Sequence, residues 1–188
     1  MSVRKLLVHT CCAPCFIAPY QQLKEAEYAV TAFWFNPNIH PLLEYQKRHS
    51  TLQSYCASEG IPLLDTGEYG LQSFLLATLR DISARCEYCY EVRLEATAKA
   101  AKAGAFDAFS TTLLYSRYQK HELIIHTAKI MADKYGVQFH YSDWRSLWQQ
   151  GIQLSKAAGM YRQQYCGCIF SEEDRYREQI QGNKPKQN

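Results

Sequence analysis

Seven of the eight cysteines in this 188-residue chain fall into three tight groups: Cys11, Cys12 and Cys15; Cys86 and Cys89; Cys166 and Cys168. Thiols so grouped can bind soft metals or exchange electrons. Cys86-Glu87-Tyr88-Cys89 is a C-x-x-C pair at the start of a predicted helix. There one turn brings both sulfurs toward a common point, and the terminal N–H groups favour thiolates. Cys11 and Cys12 are adjacent, which differs from zinc knuckles built of two C-x-x-C pairs on short hairpins. Adjacent thiolates can instead reach two different irons. Cys11, Cys12, Cys86 and Cys89 together therefore make a four-cysteine set for a 4Fe-4S cluster, with a zinc ion held by the same thiolates as the alternative. Cys15 faces the same pocket, and three roles are open to it: an alternate ligand in place of Cys11 or Cys12, a ligand of a second metal such as an additional iron ion, or a packing residue.

Cys166-Gly167-Cys168 is a different chemical object. A C-x-C disulfide closes a very small ring outside the relaxed geometry and is readily reduced, which suits an electron relay. Gly167 supplies the backbone freedom such a ring needs. The competing reading is two more metal ligands or plain thiols. Cys56 stands alone inside a predicted helix and reads as a small core residue.

These groups need a scaffold to bring them together. Strand patterns fall at residues 5–9, 28–35, 61–64, 106–114 and 137–141, and helical patterns at 13–28, 41–59, 70–80, 87–104, 119–135 and 151–161. Such alternation predicts a three-layer α/β fold, a parallel sheet with helices on both faces. Ligands of such sheets gather at the carboxyl ends of the strands, where residues 10–15, residues 115–118 and the loop after the fifth strand would lie. Residues 1–180 read as a single domain and residues 181–188, rich in Gly, Asn, Lys, Pro and Gln, as a frayed tail.

A hydrophobic content of 47% suffices for a real core, and no apolar stretch of about 18 residues suggests a membrane span. The N-terminus carries no export pattern, so a cytoplasmic protein is expected, where clustered cysteines are metal ligands or catalytic thiols rather than cross-links. A formal net charge of +3 neither announces nor excludes a nucleic-acid partner.

Six blocks occur in one order: His9-Thr10-Cys11-Cys12-Ala13-Pro14-Cys15; Phe35-Asn36-Pro37-Asn38-Ile39; Arg85-Cys86-Glu87-Tyr88-Cys89-Tyr90-Glu91-Val92-Arg93-Leu94; Phe109-Ser110-Thr111-Thr112-Leu113-Leu114; Tyr118-Gln119-Lys120-His121; and Tyr161-Arg162-Gln163-Gln164-Tyr165-Cys166-Gly167-Cys168. In these the chain resembles the QueH-type epoxyqueuosine reductases, over nearly its whole length to about Arg177. The resemblance implies a HUP-like (Rossmann-like) fold. It also implies reduction of epoxyqueuosine to queuosine at the wobble position of a tRNA, without the cobalamin used by the unrelated QueG enzymes. Carried over by motif position, Cys11, Cys12, Cys86 and Cys89 match the family's 4Fe-4S ligands, and Cys166 with Cys168 matches its redox-active disulfide.

Turning an epoxide into an alkene consumes two electrons and two protons and releases water. The cluster is then the expected reactive centre, with Cys166 and Cys168 delivering electrons and being reset by an external electron donor. His9, Tyr118 and Asp143, each next to a predicted strand end, are candidate proton donors. For the tRNA, Arg85, Arg93, Arg117, Lys120, Arg145 and Arg162 stand near Tyr88, Tyr90, Tyr115, Tyr118 and Trp144, cations for phosphates and aromatics for an unstacked base. One rival is an ATP-dependent tRNA-modifying enzyme of HUP type. It would need a glycine-rich phosphate loop, whereas residues 10–15 contain no glycine and a proline that removes an N–H. The other rival is a non-catalytic, zinc-stabilised tRNA-binding module.

Overall fold

A computed structural model describes residues 3–182. Its centre is β1 (Lys5–His9), in which Leu6, Leu7, Val8 and His9 are all buried, as expected of a parallel strand covered on both faces. Four more strands complete an all-parallel sheet: β2 (Ala29–Trp34), β3 (Leu63–Asp65), β4 (Ala108–Thr111) and β5 (Gln138–Phe139). The order is β3-β2-β1-β4-β5, with Val8 opposite Ala32 on one side and Ser110 on the other.

The connections are helical. In chain order they are α1 (Ala13–Glu25), α2 (Leu42–Glu59), α3 (Leu71–Thr78), α4 (Arg85–Ala103), α5 (His121–Tyr135), α6 (Trp148–Ala157) and α7 (Ile169–Gly182). From β1 the chain winds outward through β2 to β3, then crosses back to β4 and β5. Right-handed crossovers place helices of opposite winding direction on opposite faces. Accordingly α1 packs with α2 and α6, while α4 packs with α5. The predicted fold class is the observed one. The winding reverses between β1 and β4, so the loops after these strands border one crevice, and the backbone N–H of Cys11 donates to Thr112 Oγ1 across it at 3.1 Å.

Several boundaries differ from expectation. The fourth strand, expected to run to residue 114, stops at Thr111, whose side chain accepts from the Leu113 N–H and turns residues Thr112–Tyr115 into a 3-10 helix. The sixth helix begins three residues early, on Trp148. Gln181 and Gly182, expected in the frayed tail, belong to α7, a helix none of whose residues is fully buried. The rest of that tail, residues 183–188, lies outside the described residues.

Candidate metal centre

Cys11, Cys12 and Cys15 sit where β1 hands over to α1. Cys12 is the N-cap residue of α1, in extended conformation and without a side-chain cap, and Cys15 lies in the first turn. The three Sγ atoms lie within 4.8 Å of one another. Around them, Thr112 Oγ1 donates to Cys11 Sγ (3.4 Å), and Gln163 Nε2 reaches both Cys12 Sγ (2.9 Å) and Cys15 Sγ (3.3 Å). Gln163 Oε1 is buried without a partner among the described residues. The helix N-terminus adds its partial positive charge to these donors.

The protonation pattern follows. Hydrogen bonds from Cys12 and then Cys15 hold the Cys11 thiol well below its usual range. Cys12 is pushed up, first by burial, and Cys15 first by its hydrogen bond with Cys11. Of the trio, Cys11 is the thiol most readily ionised. A soft cation would expel the remaining protons and take three sulfurs at once, so the group is placed to bind a metal.

The second pair rides on the first turns of α4. Cys89 is buried among Phe74 and Cys168, while Cys86 is half-buried against the main core. Burial pushes the Cys89 thiol up to about 12, against the pull of Arg93. Arg93 lies one turn further along, 1% exposed, and donates to Cys89 O (2.9 Å) and Cys89 Sγ (3.0 Å). Among the described residues no carboxylate pairs with it. Burial pulls its pKa down, and Cys89, Cys166, Cys11 and Tyr90 more than make up for that, leaving it raised. A fully buried cation without a carboxylate is costly unless anions face it. Thiolates, or a thiolate-ligated centre of net negative charge, fit this chain's donor set and its unpaired guanidinium.

The third group is clamped from α2. Arg48, also 1% exposed, pairs through Nε with Glu44 (2.6 Å) and donates through its other nitrogens to Cys166 O (2.8 Å) and Tyr165 O (3.1 Å). Tyr161 donates to the other oxygen of Glu44, and Tyr165 to His40 O at 2.6 Å. Gly167 adopts φ +148°, and its carbonyl accepts from the His40 N–H at 2.8 Å. Cys166 is exposed and receives Gln119 Nε2 at 3.0 Å, whereas Cys168 is buried. All eight cysteines are free thiols.

The structure thus gathers Cys11, Cys12 and Cys15 tightly, with Cys86 and Cys89 outside the 4.8 Å group. Cys56 is 2% exposed with its thiol pushed up to about 12 by burial, a core residue as expected. Two proton-donor candidates are not suited to that role. His9 is buried between Thr111 Oγ1 (2.9 Å) and Asn36 Oδ1 (3.2 Å), and burial followed by Arg93 drives it down to about 3, so its imidazole is neutral and fixed. Asp143 caps the 3-10 turn at Trp144–Leu147, and its pairing with Arg145 holds it down to about 2, ionised. The third, Tyr118, is highly exposed and its hydroxyl has no hydrogen-bond partner among the described residues, so the structure gives it no proton-transfer geometry either.

Of the residues expected to meet the tRNA, Arg93, Tyr90, Tyr115 and Trp144 are buried. Arg85 pairs with Asp174 at 2.5 Å and Arg145 with Asp143 at 2.6 Å. Arg117, Lys120 and Arg162 form no ion pair among the described residues. Sequence reasoning missed Arg48, Glu44, Gln119 and Gln163 as site-shaping groups. The last two lie inside quoted motif blocks, which was the available signal.

A family model described as Epoxyqueuosine reductase QueH matches residues 6–174. Proteins named Epoxyqueuosine reductase QueH from Dehalococcoides mccartyi and Thermotoga maritima are 35% and 36% identical, over 92% and 88% of this chain and 94% and 89% of theirs. The one from Haemophilus influenzae is 32% identical, over 90% of this chain and 72% of its own. With the match running through every cysteine group, the chain belongs to the epoxyqueuosine reductase QueH family of oxidoreductases.

Proposed function

We propose that this protein is a cytoplasmic, cobalamin-independent reductase that converts epoxyqueuosine to queuosine at the wobble position of a tRNA. Cys11, Cys12, Cys86 and Cys89 would hold a 4Fe-4S cluster, and Cys15 an additional iron ion or an alternate ligand position. Cys166 and Cys168 would be the redox-active pair, reset by an external electron donor. The observation that carries this reading is the set of contacts joining the three groups: Gln163, three residues before Cys166, donates to Cys12 and Cys15, and Cys168 packs with Cys89, whose sulfur accepts from the buried guanidinium of Arg93. It supports one shared anionic centre rather than three unrelated sets of thiols.

When bound, such a cluster supplies one-electron transfer and Lewis acidity. The chain's own residues do the rest. Gln163, Thr112 and the N-terminus of α1 direct donors at the first cysteine group, and Arg93 offsets negative charge at Cys89. Oxidation of the Cys166 and Cys168 thiols to a disulfide releases two electrons and two protons, which balances an epoxide becoming an alkene and water. Gln119 holds Cys166 at the exposed side, where an outside reductant can attack.

The test is anaerobic purification with iron and sulfide analysis, together with an assay on epoxyqueuosine-containing tRNA without cobalamin. A brown, iron- and sulfide-containing protein that forms queuosine is expected, and a Cys166→Ser variant should keep its colour and lose multiple turnover. A colourless, zinc-bearing protein that leaves epoxyqueuosine untouched would overturn the reading.

A further inference from the structure

We propose that Tyr118, flanked by Arg117 and Lys120, is the stacking platform for an unpaired nucleotide of the anticodon loop, held beside Cys166. The proposal rests on the tRNA reading above and adds where the RNA is gripped. Tyr118 is 84% exposed, more than any other large apolar or aromatic side chain among the described residues. Its ring is nonetheless braced. It meets the edge of Trp148 at 5.6 Å, and Trp148 stacks on buried Tyr115 at 5.3 Å and 30°. Tyr115 donates to Trp148 O at 3.0 Å, and Gly151 leaves the room this needs, since a Cβ there would fall 2.1 Å from the Tyr115 hydroxyl oxygen. The Tyr118 N–H is tied to Ser116 Oγ at 3.3 Å.

An aromatic face held outward by a ladder anchored in the core has its ordering cost already met, which is what a stacking partner requires. The charges around it match a polyanion. Arg117, Lys120 and Arg162 form no ion pair among the described residues. The neighbouring cation Arg145 is neutralised by Asp143.

The link to the reaction is covalent and short. Gln119, the next residue, donates to Cys166 Sγ at 3.0 Å and accepts from Tyr90 at 2.7 Å, and the Lys120 N–H donates to the same tyrosine hydroxyl at 3.1 Å. The loop that presents Tyr118 is therefore registered to the exposed thiol. A base stacked on Tyr118 would lie one residue along the chain from the side chain that holds Cys166.

Tyr118→Ala, Tyr118→Phe and an Arg117→Ala/Lys120→Ala pair, reconstituted as the full chain, should be compared on epoxyqueuosine-containing tRNA. Loss of one stacked base corresponds to roughly a tenfold to hundredfold weakening. Tyr118→Ala should raise KM by that factor with kcat within about twofold, and Tyr118→Phe should keep the wild-type KM because the ring, not the hydroxyl, is used. The Arg117/Lys120 pair should flatten the slope of log Kd against log salt by roughly 0.7 for each phosphate no longer neutralised. Iron and sulfide content should be unchanged throughout. A Tyr118→Ala KM within twofold of a wild type that turns over would overturn the platform alone. A wild type that neither binds nor converts the tRNA would overturn the substrate reading and the platform with it.

Discussion

Gly167→Ala tests whether the Cys166-Gly167-Cys168 loop is held in a backbone shape that only glycine adopts. The φ of +148° lies in a region essentially closed to L side chains, and forcing a residue there costs about 1–3 kcal/mol. The surroundings add to this. A Cβ at position 167 would sit 3.2 Å from Ile39 Cγ1 and 3.3 Å from both an Arg48 terminal nitrogen and Asn38 Nδ2. All three neighbours are at most 1% exposed, so none can swing into solvent, and overpacking of this kind costs about 1 kcal/mol or more. A total of about 2–4 kcal/mol corresponds to a fall in Tm of roughly 4–16 °C for a chain of this size. Gly60→Ala is the control, because Gly60 has φ +67° but nothing within 4 Å of an added Cβ, and should cost only about 1 kcal/mol. Thermal unfolding followed by circular dichroism of the metal-free, reduced proteins reads both. If Gly167→Ala melts within about 2 °C of wild type, or no lower than Gly60→Ala, the loop can relax and the reasoning fails.

Arg93→Met removes the buried cation beside Cys89 while keeping its bulk. At an effective dielectric near 20 one such charge is worth roughly 1–3 kcal/mol to an added electron nearby, so the midpoint potential of the bound centre should fall by about 40–130 mV, with Arg93→Lys restoring part of it. Spectroelectrochemistry measures this, and an unmoved potential with iron intact would refute the charge-compensating role. His40 gives a pH prediction. Burial holds it down to about 4 from 6.5, with Nδ1 unpartnered among the described residues, so the unfolded chain binds a proton that the folded chain refuses. Its contribution is complete above pH 6.5 and is lost as pH falls toward 4, to a ceiling of about 3 kcal/mol. Denaturant unfolding across that window should show the loss in wild type and a flatter profile in His40→Gln; identical profiles would refute it.

Local rules reached the fold because its elements alternate, and β1 in particular is a short apolar run bounded by a loop of small residues and thiols. They reached the cysteine groups because spacing is visible in sequence. They could not reach Arg93 or Arg48, since a guanidinium inside a helix reads as solvated until tertiary packing buries it. The carbonyls that Arg48 clamps lie 117 and 118 residues away. Sequence also left open whether His9 and Asp143 donate protons or only hold structure, because their surroundings are set by Asn36, Thr111 and Arg145, contacts that only the fold or a cap geometry defines. Helix α7 has no buried residue to mark its face. Its cues were the spacing of Ile169, Phe170, Tyr176 and Ile180, of which Phe170 packs against Phe74, Ser171 bonding Cys168 O at 2.7 Å at its start, and the Asp174–Arg177 pair within it.

The position of the thiol trio also explains why its loop has no glycine. In nucleotide-binding sheets of this topology the turn after the first strand brings backbone N–H groups up to a phosphate, and glycine is needed so that no side chain intervenes. Here the cysteine side chains fill that place. Cys12 occupies the N-cap position and Cys15 the first turn, so their sulfurs stand where the helix N-terminus would otherwise meet an external anion. The same partial positive charge then favours thiolates. Pro14 removes one N–H that a phosphate would have used, at no cost to a site whose anions are its own. A loop of this composition is suited to holding a cation with its own sulfurs and poorly suited to cradling a triphosphate, which weighs against ATP-dependent chemistry at this crevice.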